Sequence, residues 1–191
     1  MVRAFLTEPT TIALGLDEAL AAPAITSVTR TAAREGLSVI AREATTGKIV
    51  GCLIARDFNA PPPDGFEAVA APFAPLFALL SGMEESFRAR SAAPVPDGAV
   101  CVLIMAGVDE AYRGARVLGR MCARTEQVAR ERSFRALLAE ATGAASQQAA
   151  LQRLGFEVLE RFAYRDFVFE GRNVFASIES VDSCALIHKP L

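Results

Sequence analysis

The chain has 191 residues, 52% of them hydrophobic, which is enough for one domain with a sizeable apolar core. Its formal net charge is −2 at pH 7 and no two Lys or Arg residues are adjacent, a pattern that excludes a typical nucleic-acid-binding protein. Because no run of 18 apolar residues occurs, we expect no membrane association and a cytoplasmic location.

Helices and a β-hairpin are predicted for the first half of the chain. The Glu8-Pro9 dipeptide ends a first helix, because the residue before a proline avoids the helical region. A turn at Gly47 joins two strands into a hairpin. In chain order, the predicted elements are the end of a helix over residues 1–7, a mostly helical segment over 17–37 with a break near Pro23, strands over 38–44 and 48–58, and a helix over 66–90.

The second half alternates strands and helices more regularly. Residues 99–108 are almost all apolar, which is typical of a strand buried on both faces. The other predicted elements are a helix over 114–133, a strand over 134–141, a helix over 144–154 that stops at Gly155, and two long strands over 156–169 and 173–188. This order predicts a single α/β domain over residues 1–191, built on a mixed sheet.

The segment from residue 102 to residue 120 carries the clearest chemical signal. An apolar strand runs through a short polar turn into a helix that begins with Arg113, Gly114, Arg116 and Gly119. A helix N-terminus offers unpaired N–H groups and the positive end of a dipole, and glycine lets an anion approach the backbone. We therefore predict a pyrophosphate site. A solvent-exposed helix start with a capping role is the alternative.

No metal site is predicted. The four cysteines lie far apart in apolar segments without metal-ligand spacing, so we expect buried, reduced thiols at Cys52, Cys101, Cys122 and Cys184. The only histidine, His188, is assigned no role. Cys184 alone has a histidine nearby in sequence, and alternation along a strand places the two side chains on the same face.

Several motifs of the second half together resemble the GNAT superfamily of acyl-CoA-dependent N-acetyltransferases. They are Val108-Asp109-Glu110-Ala111-Tyr112-Arg113-Gly114, the helix opening through Gly119, the turn Arg153-Leu154-Gly155-Phe156, and the spacing between them. The resemblance implies a GNAT fold, with a mixed, mostly antiparallel sheet flanked by helices. It also implies acetyl-CoA as co-substrate, bound by the backbone of Gly107 and Val108 and by Arg113, Gly114, Ala115, Arg116, Val117, Leu118, Gly119 and Arg120.

Within that superfamily the chain is most similar to the arylalkylamine, or dopamine-type, N-acetyltransferases. Phe5-Leu6-Thr7-Glu8-Pro9 resembles a segment of that branch in which the glutamate before proline is the general base, which implies this role for Glu8. Thr142 and Ser146, one helical turn apart, resemble a pair of serines that relay protons and contact CoA. The implied reaction is direct acetylation of a small hydrophobic or arylalkyl primary amine. A solvated Glu8 and a helix-capping Thr142 are the alternatives.

The chain departs from the family pattern at four places. Arg116 stands at the position of the second loop glycine, and Ser180-Val181 at that of a Pro-His pair. Leu151 replaces a tyrosine acid, which leaves no side-chain donor for the departing thiolate. The chain also begins inside the family's first helix, so we expect the sheet to lack the first strand.

These departures leave other functions open. A GNAT-like module that binds acyl-CoA without turnover is consistent with Arg116 and with the missing tyrosine, whereas Glu8 favours an enzyme. Acetylation of a peptide N-terminus or a lysine is a second alternative. The aromatic residues between 66 and 87 favour a small amine, although their helical spacing also suits a core. Pairing of two chains into a homodimer through the last strand is left open.

Overall fold

The computed structural model describes all residues from Met1 to Leu191 and contains a six-stranded sheet with helices on both faces. The strands are β1 (Val39–Arg42), β2 (Ile49–Asp57), β3 (Val100–Val108), β4 (Ala136–Ala141), β5 (Glu157–Ala163) and β6 (Ser183–Pro190). Their order is β1-β2-β3-β4-β6-β5, with β3 and β4 the one parallel pair. The predicted mixed, mostly antiparallel sheet is confirmed, and no strand precedes the β1–β2 hairpin.

Seven helices accompany the sheet, and none has the length and apolar character that crossing a bilayer requires. They are α1 (Val2–Phe5), α2 (Pro9–Ala13), α3 (Glu18–Glu35), α4 (Glu67–Ala70), α5 (Ala74–Arg90), α6 (Val117–Glu131) and α7 (Ala144–Arg153). Side-chain alternation along β4 shows the two layers: Leu137 and Ala141 pack with α6 and α7, whereas Leu138 packs with α5. We call these the α6 face and the α5 face; α2 and Tyr164 also pack on the α5 face.

The predicted break at Pro23 is wrong, because α3 continues through this residue. The helix begins at Asp17, whose carboxylate accepts a hydrogen bond of 2.9 Å from the Leu20 N–H, and ends at Gly36 in a left-handed conformation. Pro23 itself is exposed, while Ala21 is fully buried. The packing of the buried side of α3 therefore outweighs the hydrogen bond that proline removes.

The two long C-terminal strands were predicted over too many residues. β5 ends at Ala163 and β6 begins at Ser183, and the segment between them leaves the sheet. Tyr164 and Phe175 are buried there, with ring centroids 5.7 Å apart. Their burial folds residues 164–182 against the α5 face, so the apolar pattern that suggested strand reflects core packing instead. The short helix α2 was not predicted.

The parallel strands β3 and β4 diverge, which shapes the candidate site. Only residues 100–102 of β3 pair with residues 136–138 of β4. The β2–β3 register then shifts so that Ile104 has no partner residue on β2. Ile104 is 39% exposed although it lies in a central strand. The sheet therefore contains a gap between the C-terminal halves of β3 and β4.

Candidate active site

The start of α6 lies at the C-terminal end of β3, beside the gap. The predicted helix over 114–133 begins only at Val117, because Arg116 adopts a left-handed conformation with φ 57° and ψ 22°. The first bond that closes the helix runs from the Arg120 N–H to the Arg116 carbonyl at 3.1 Å. The N–H groups of Val117, Leu118 and Gly119 therefore have no partner within the helix.

The surroundings of this helix start are open and rich in arginine, although Arg113 also pairs with Glu110 at 3.1 Å. Arg113, Arg116 and Arg120 are exposed, and the first turn of α6 carries no acidic residue. Gly114 has φ +86°, which favours glycine, and no atom lies within 4 Å of the place a Cβ would take. Free N–H groups, a positive helix end and three guanidinium groups form an arrangement that suits a diphosphate.

The loop before α6 is anchored to the β1–β2 hairpin. The Tyr112 hydroxyl donates to Glu43 at 2.6 Å, and the Lys48 ammonium donates to Asp109 at 2.8 Å. The bond from Lys48 holds the pKa of Asp109 below its usual range, whereas the bond to Glu43 raises the pKa of Tyr112. Tyr112 is therefore a loop anchor rather than a proton donor.

The end of β3 offers backbone groups to the gap. Gly107 and Val108 pair with Cys52 and Gly51 of β2 on one side, and no strand pairs with them on the other. Because backbone groups alternate in direction along a strand, part of those in residues 103–108 face the gap without a strand partner. The predicted role of Gly107 and Val108 requires backbone groups without a strand partner on this side, and it stays a prediction.

Glu8 and Thr142, which are 134 residues apart in sequence, are in direct contact. The Thr142 hydroxyl donates to Glu8 Oε2 at 2.7 Å. Glu8 directly precedes α2, and Thr142 directly follows β4. The contact therefore lies at the C-terminal end of β4, on the opposite side of the gap from the start of α6. Their predicted catalytic roles stay predictions.

Ser146 makes no contact with Glu8. Its hydroxyl accepts a hydrogen bond of 3.1 Å from the Gly143 N–H and donates one of 2.8 Å to the Gly143 carbonyl, so it caps α7. A Cβ on Gly143 would lie 3.0 Å from Glu8 Oε2 and 3.6 Å from Ser146 Oγ. The three predicted catalytic residues thus surround Gly143, and the helix cap is Gly143 rather than Thr142.

Two residues that sequence reasoning did not select hold the end of β4 in place. The Tyr164 hydroxyl donates to the Thr142 carbonyl at 2.6 Å. The buried Gln147 side chain donates to the Ala141 carbonyl at 3.1 Å and to the Ser183 carbonyl at 2.6 Å. A polar residue at an inward position of α7 was the available signal for Gln147.

A third residue that the sequence analysis missed is Glu140, near the end of β4. Burial, together with the neighbouring Glu84 carboxyl of α5, raises the pKa of Glu140 to about 8. Its Oε1 atom is enclosed and has no hydrogen-bond partner. A single carboxylate in the otherwise apolar strand Ala-Leu-Leu-Ala-Glu-Ala was the available signal.

The other pair considered in the sequence, Cys184 and His188, is not brought together. Burial raises the pKa of the Cys184 thiol, and His188 lies four residues along β6, about 13 Å away by strand geometry. Leu151 packs against the core of the α6 face. All four cysteines are free, but Cys52 is only half-buried, which corrects the expectation that all are buried. No cluster of three potential metal ligands is present.

Neither a protein-family model nor a curated protein sequence matches the chain, whereas solved structures resemble it. The C-terminal condensation domain of Ebony, in complex with beta-alanyl-dopamine, has a TM-score of 0.84 and 18% identity, over 97% of this chain and 87% of that one. Arylalkylamine N-acetyltransferase 2 from Aedes aegypti has a TM-score of 0.73 and 19% identity, over 97% and 88%. Drosophila melanogaster polyamine N-acetyltransferase has a TM-score of 0.67 and 21% identity, over 92% and 82%. The chain therefore has the GNAT fold of these proteins, as its motifs predicted.

Proposed function

We propose that the protein transfers the acetyl group of acetyl-CoA to the nitrogen of a small primary amine. The observation that carries this proposal is the placement of three features around one gap in the sheet. The cationic start of α6 follows β3, the Glu8–Thr142 contact follows β4, and unpaired backbone of β3 lies between them. A gap at the carboxyl ends of parallel strands is a typical ligand site in α/β proteins.

The start of α6 would bind the diphosphate of the donor. The N–H groups of Val117, Leu118 and Gly119 would donate to phosphate oxygens, and Arg113, Arg116 and Arg120 would supply positive charge. The free backbone of residues 103–108 would pair with the amide groups of the pantetheine arm. Acetyl-CoA supplies the activated thioester, and a backbone N–H near Val108 would polarise its carbonyl.

Glu8 would act as the general base. Its carboxylate would accept a proton from the bound ammonium, and the free amine would then attack the thioester carbonyl. A C–N bond forms and the C–S bond breaks. The nitrogen releases its second proton to solvent, and the thiolate of CoA takes a proton from solvent, because Leu151 cannot donate one. Thr142 would orient the Glu8 carboxylate through its 2.7 Å hydrogen bond. Holding both reactants in one gap would supply much of the rate.

The aromatic residues of the 66–87 segment do not bear on the acceptor. Phe73 is buried, and Phe66 and Phe77 pack against each other and against the same cluster. A hydrophobic or arylalkyl acceptor, a cytoplasmic location and the choice between monomer and homodimer therefore stay predictions from the sequence.

Binding of acetyl-CoA is the first test. We expect calorimetry to show saturable binding by the parent chain, at least tenfold weaker binding by Arg113→Ala, and none by Gly114→Asp, which strains the backbone and adds negative charge. Arg124→Ala is the matched control, because Arg124 is an exposed arginine farther along α6. Absence of binding in the folded parent would contradict the proposal.

Turnover then separates an enzyme from a module that only binds acyl-CoA. The capping role of Ser146 and the apolar Leu151 in place of a tyrosine would favour the module. Release of the CoA thiol is followed with a panel of primary amines. We expect Glu8→Gln to lower kcat/KM by about 100-fold while acetyl-CoA binding persists, since general-base catalysis contributes factors of that order. Saturable binding with no turnover of any amine would support the module instead.

A further inference from the structure

The peptide group that joins Thr142 to Gly143 is held at both ends by side chains. The Tyr164 hydroxyl donates to the Thr142 carbonyl at 2.6 Å, and the Ser146 hydroxyl accepts a hydrogen bond of 3.1 Å from the Gly143 N–H. A trans peptide group is planar, and its C=O and N–H point in opposite directions. Two hydrogen bonds at opposite edges therefore fix the tilt of this plane.

The two residues that this peptide joins face the same carboxylate oxygen. The Thr142 hydroxyl donates to Glu8 Oε2 at 2.7 Å. A Cβ on Gly143 would lie 3.0 Å from the same atom. A change in the tilt of the peptide plane would therefore shift Thr142 or Gly143 relative to the Glu8 carboxylate.

No strand supplies this restraint, because the sheet ends before Thr142. The pairing of β4 with β6 stops at Ala141 and Ala185, and the pairing of β4 with β3 stops at Leu138. The backbone groups between Thr142 and Gly143 thus lie beyond the last strand pair on both sides. Side chains take the place of a ladder partner for this one peptide group.

Tyr164 is well supported for such a role. Its ring is buried against Phe175, with centroids 5.7 Å apart, and its N–H donates to the Asp182 carbonyl at 3.0 Å. Burial raises the pKa of the Tyr164 hydroxyl, so this group stays protonated and able to donate at neutral pH. Residues 164–182 therefore do more than cover the α5 face, since they direct one hydroxyl at the end of β4.

We propose that Tyr164 is a positioning residue of the acetyl transfer. Together with Ser146 it fixes the plane of the Thr142–Gly143 peptide and so holds the Thr142 hydroxyl against Glu8. This inference rests on the proposed function, because it concerns the support of the base in that reaction. Tyr164 acts through Thr142 and touches no reactant. Its loss should therefore lower kcat and leave the binding of acetyl-CoA unchanged.

The test asks whether the effect of the Tyr164 hydroxyl depends on the Thr142 hydroxyl. Tyr164→Phe keeps the ring, and we expect kcat to fall about tenfold. In Thr142→Val the bond to Glu8 is already lost, so adding Tyr164→Phe should lower kcat by no more than about twofold. Tyr112→Phe is the matched comparison, because it removes the other tyrosine hydroxyl of the chain, which donates to Glu43 at 2.6 Å beside the donor site. Its effect on kcat/KM should be the same with and without Thr142→Val.

A purely structural role would give Tyr164→Phe the same factor in both backgrounds, and that result overturns the inference, as does a kcat equal to that of the parent. Ser146→Ala acts on the other end of the peptide and should depend on Thr142 in the same way, which decides the question if Tyr164→Phe does not fold. Failure to turn over any amine rejects the proposed function instead. The inference is then decided by amide hydrogen exchange, in which the Gly143 N–H should exchange several-fold faster in Tyr164→Phe, and an unchanged rate overturns it.

Discussion

Glu8 illustrates how one proline sets the direction of a side chain. Pro9 keeps Glu8 in an extended conformation with φ −71° and ψ 139°, so Glu8 lies at the boundary of α2 rather than inside a continuous helix. Residues at this boundary often bond to the N–H groups of their own helix. The Glu8 side chain makes no such bond and instead accepts the hydrogen bond from Thr142. The carboxylate is therefore directed toward the end of β4.

Gly143 is the residue that leaves room for this contact, which gives a testable prediction. In Gly143→Ala, the new Cβ would lie 3.0 Å from Glu8 Oε2 and 3.4 Å from Pro9 Cδ, so the Glu8 carboxylate must shift by a few tenths of an ångström, which disturbs its hydrogen bond from Thr142. The backbone tolerates alanine because φ is −115°. We expect kcat/KM for the acceptor amine to fall on the order of tenfold, with a much smaller change in the melting temperature.

Gly82→Ala serves as the control for that variant. Gly82 lies inside α5 with no atom within 4 Å of its Cβ position, so alanine there should stabilise the fold by about 0.5–1 kcal/mol and leave the kinetics unchanged. A Gly143→Ala protein with the kinetics of the parent would show that the Glu8–Thr142 contact does not matter for the reaction.

The first turn of α6 follows a residue, Arg116, whose backbone conformation is unfavourable. Arg116 has φ 57°, a left-handed conformation in which a residue with a side chain costs roughly 1–2 kcal/mol. Its guanidinium is exposed beside the free N–H groups of the helix. The charge that Arg116 brings to the proposed donor site is therefore combined with local strain.

Two substitutions separate the charge of Arg116 from its backbone strain. Arg116→Gly should raise the free energy of unfolding by about 1 kcal/mol, because glycine adopts the left-handed conformation readily. Arg116→Ala keeps most of the strain and should leave stability close to that of the parent. Both variants lose the same charge, so we expect both to weaken acetyl-CoA binding in calorimetry. Equal stability of the two variants in urea unfolding would reject the strain argument.

Local patterns predicted most elements, and tertiary packing decided the exceptions. The hairpin, β3, β4, α6 and α7 were predicted because their apolar periodicity agrees with their final burial. The core contacts of Tyr164 and Phe175 turned a predicted strand into an irregular segment, and those of Ala21 carried α3 through Pro23. Such contacts join residues far apart in sequence, so local patterns do not report them.

The candidate site was predictable only where it follows a motif. The Arg-Gly helix start and Glu8 were selected in this way, whereas the contact between Glu8 and Thr142 was not predicted. Glu140 was not found, because its neighbour Glu84 lies on a different element and the pair exists only in the folded chain. The role of Tyr164 was not found either, because its bond to the Thr142 carbonyl depends on the irregular segment after β5.

At the scale of the whole molecule, the carboxyls with shifted pKa values fall into two groups. Most perturbed carboxyls, such as Glu126 beside Lys189 and Asp109 beside Lys48, have lowered pKa values. Their contribution to stability is present above their unfolded pKa and is lost in acid. Glu140 and Glu84 have raised pKa values instead. These two groups therefore lower the free energy of unfolding as the pH rises above the pKa of an unfolded glutamate.

The pH dependence of unfolding tests the buried state of Glu140. Its pKa rises from 4.5 to about 8 on folding, so the folded chain binds more protons than the unfolded chain between these pH values. The free energy of unfolding should therefore decrease as pH rises through this window, by up to about 1.4 kcal/mol per pH unit from this group. Glu140→Gln removes the titration, and urea unfolding should show a flatter profile between pH 5 and pH 8, with the larger gain in stability at pH 8. Glu85→Gln should keep the slope of the parent, because Glu85 is exposed. Parallel profiles for the parent and Glu140→Gln would mean that Glu140 titrates normally, in contradiction to its burial.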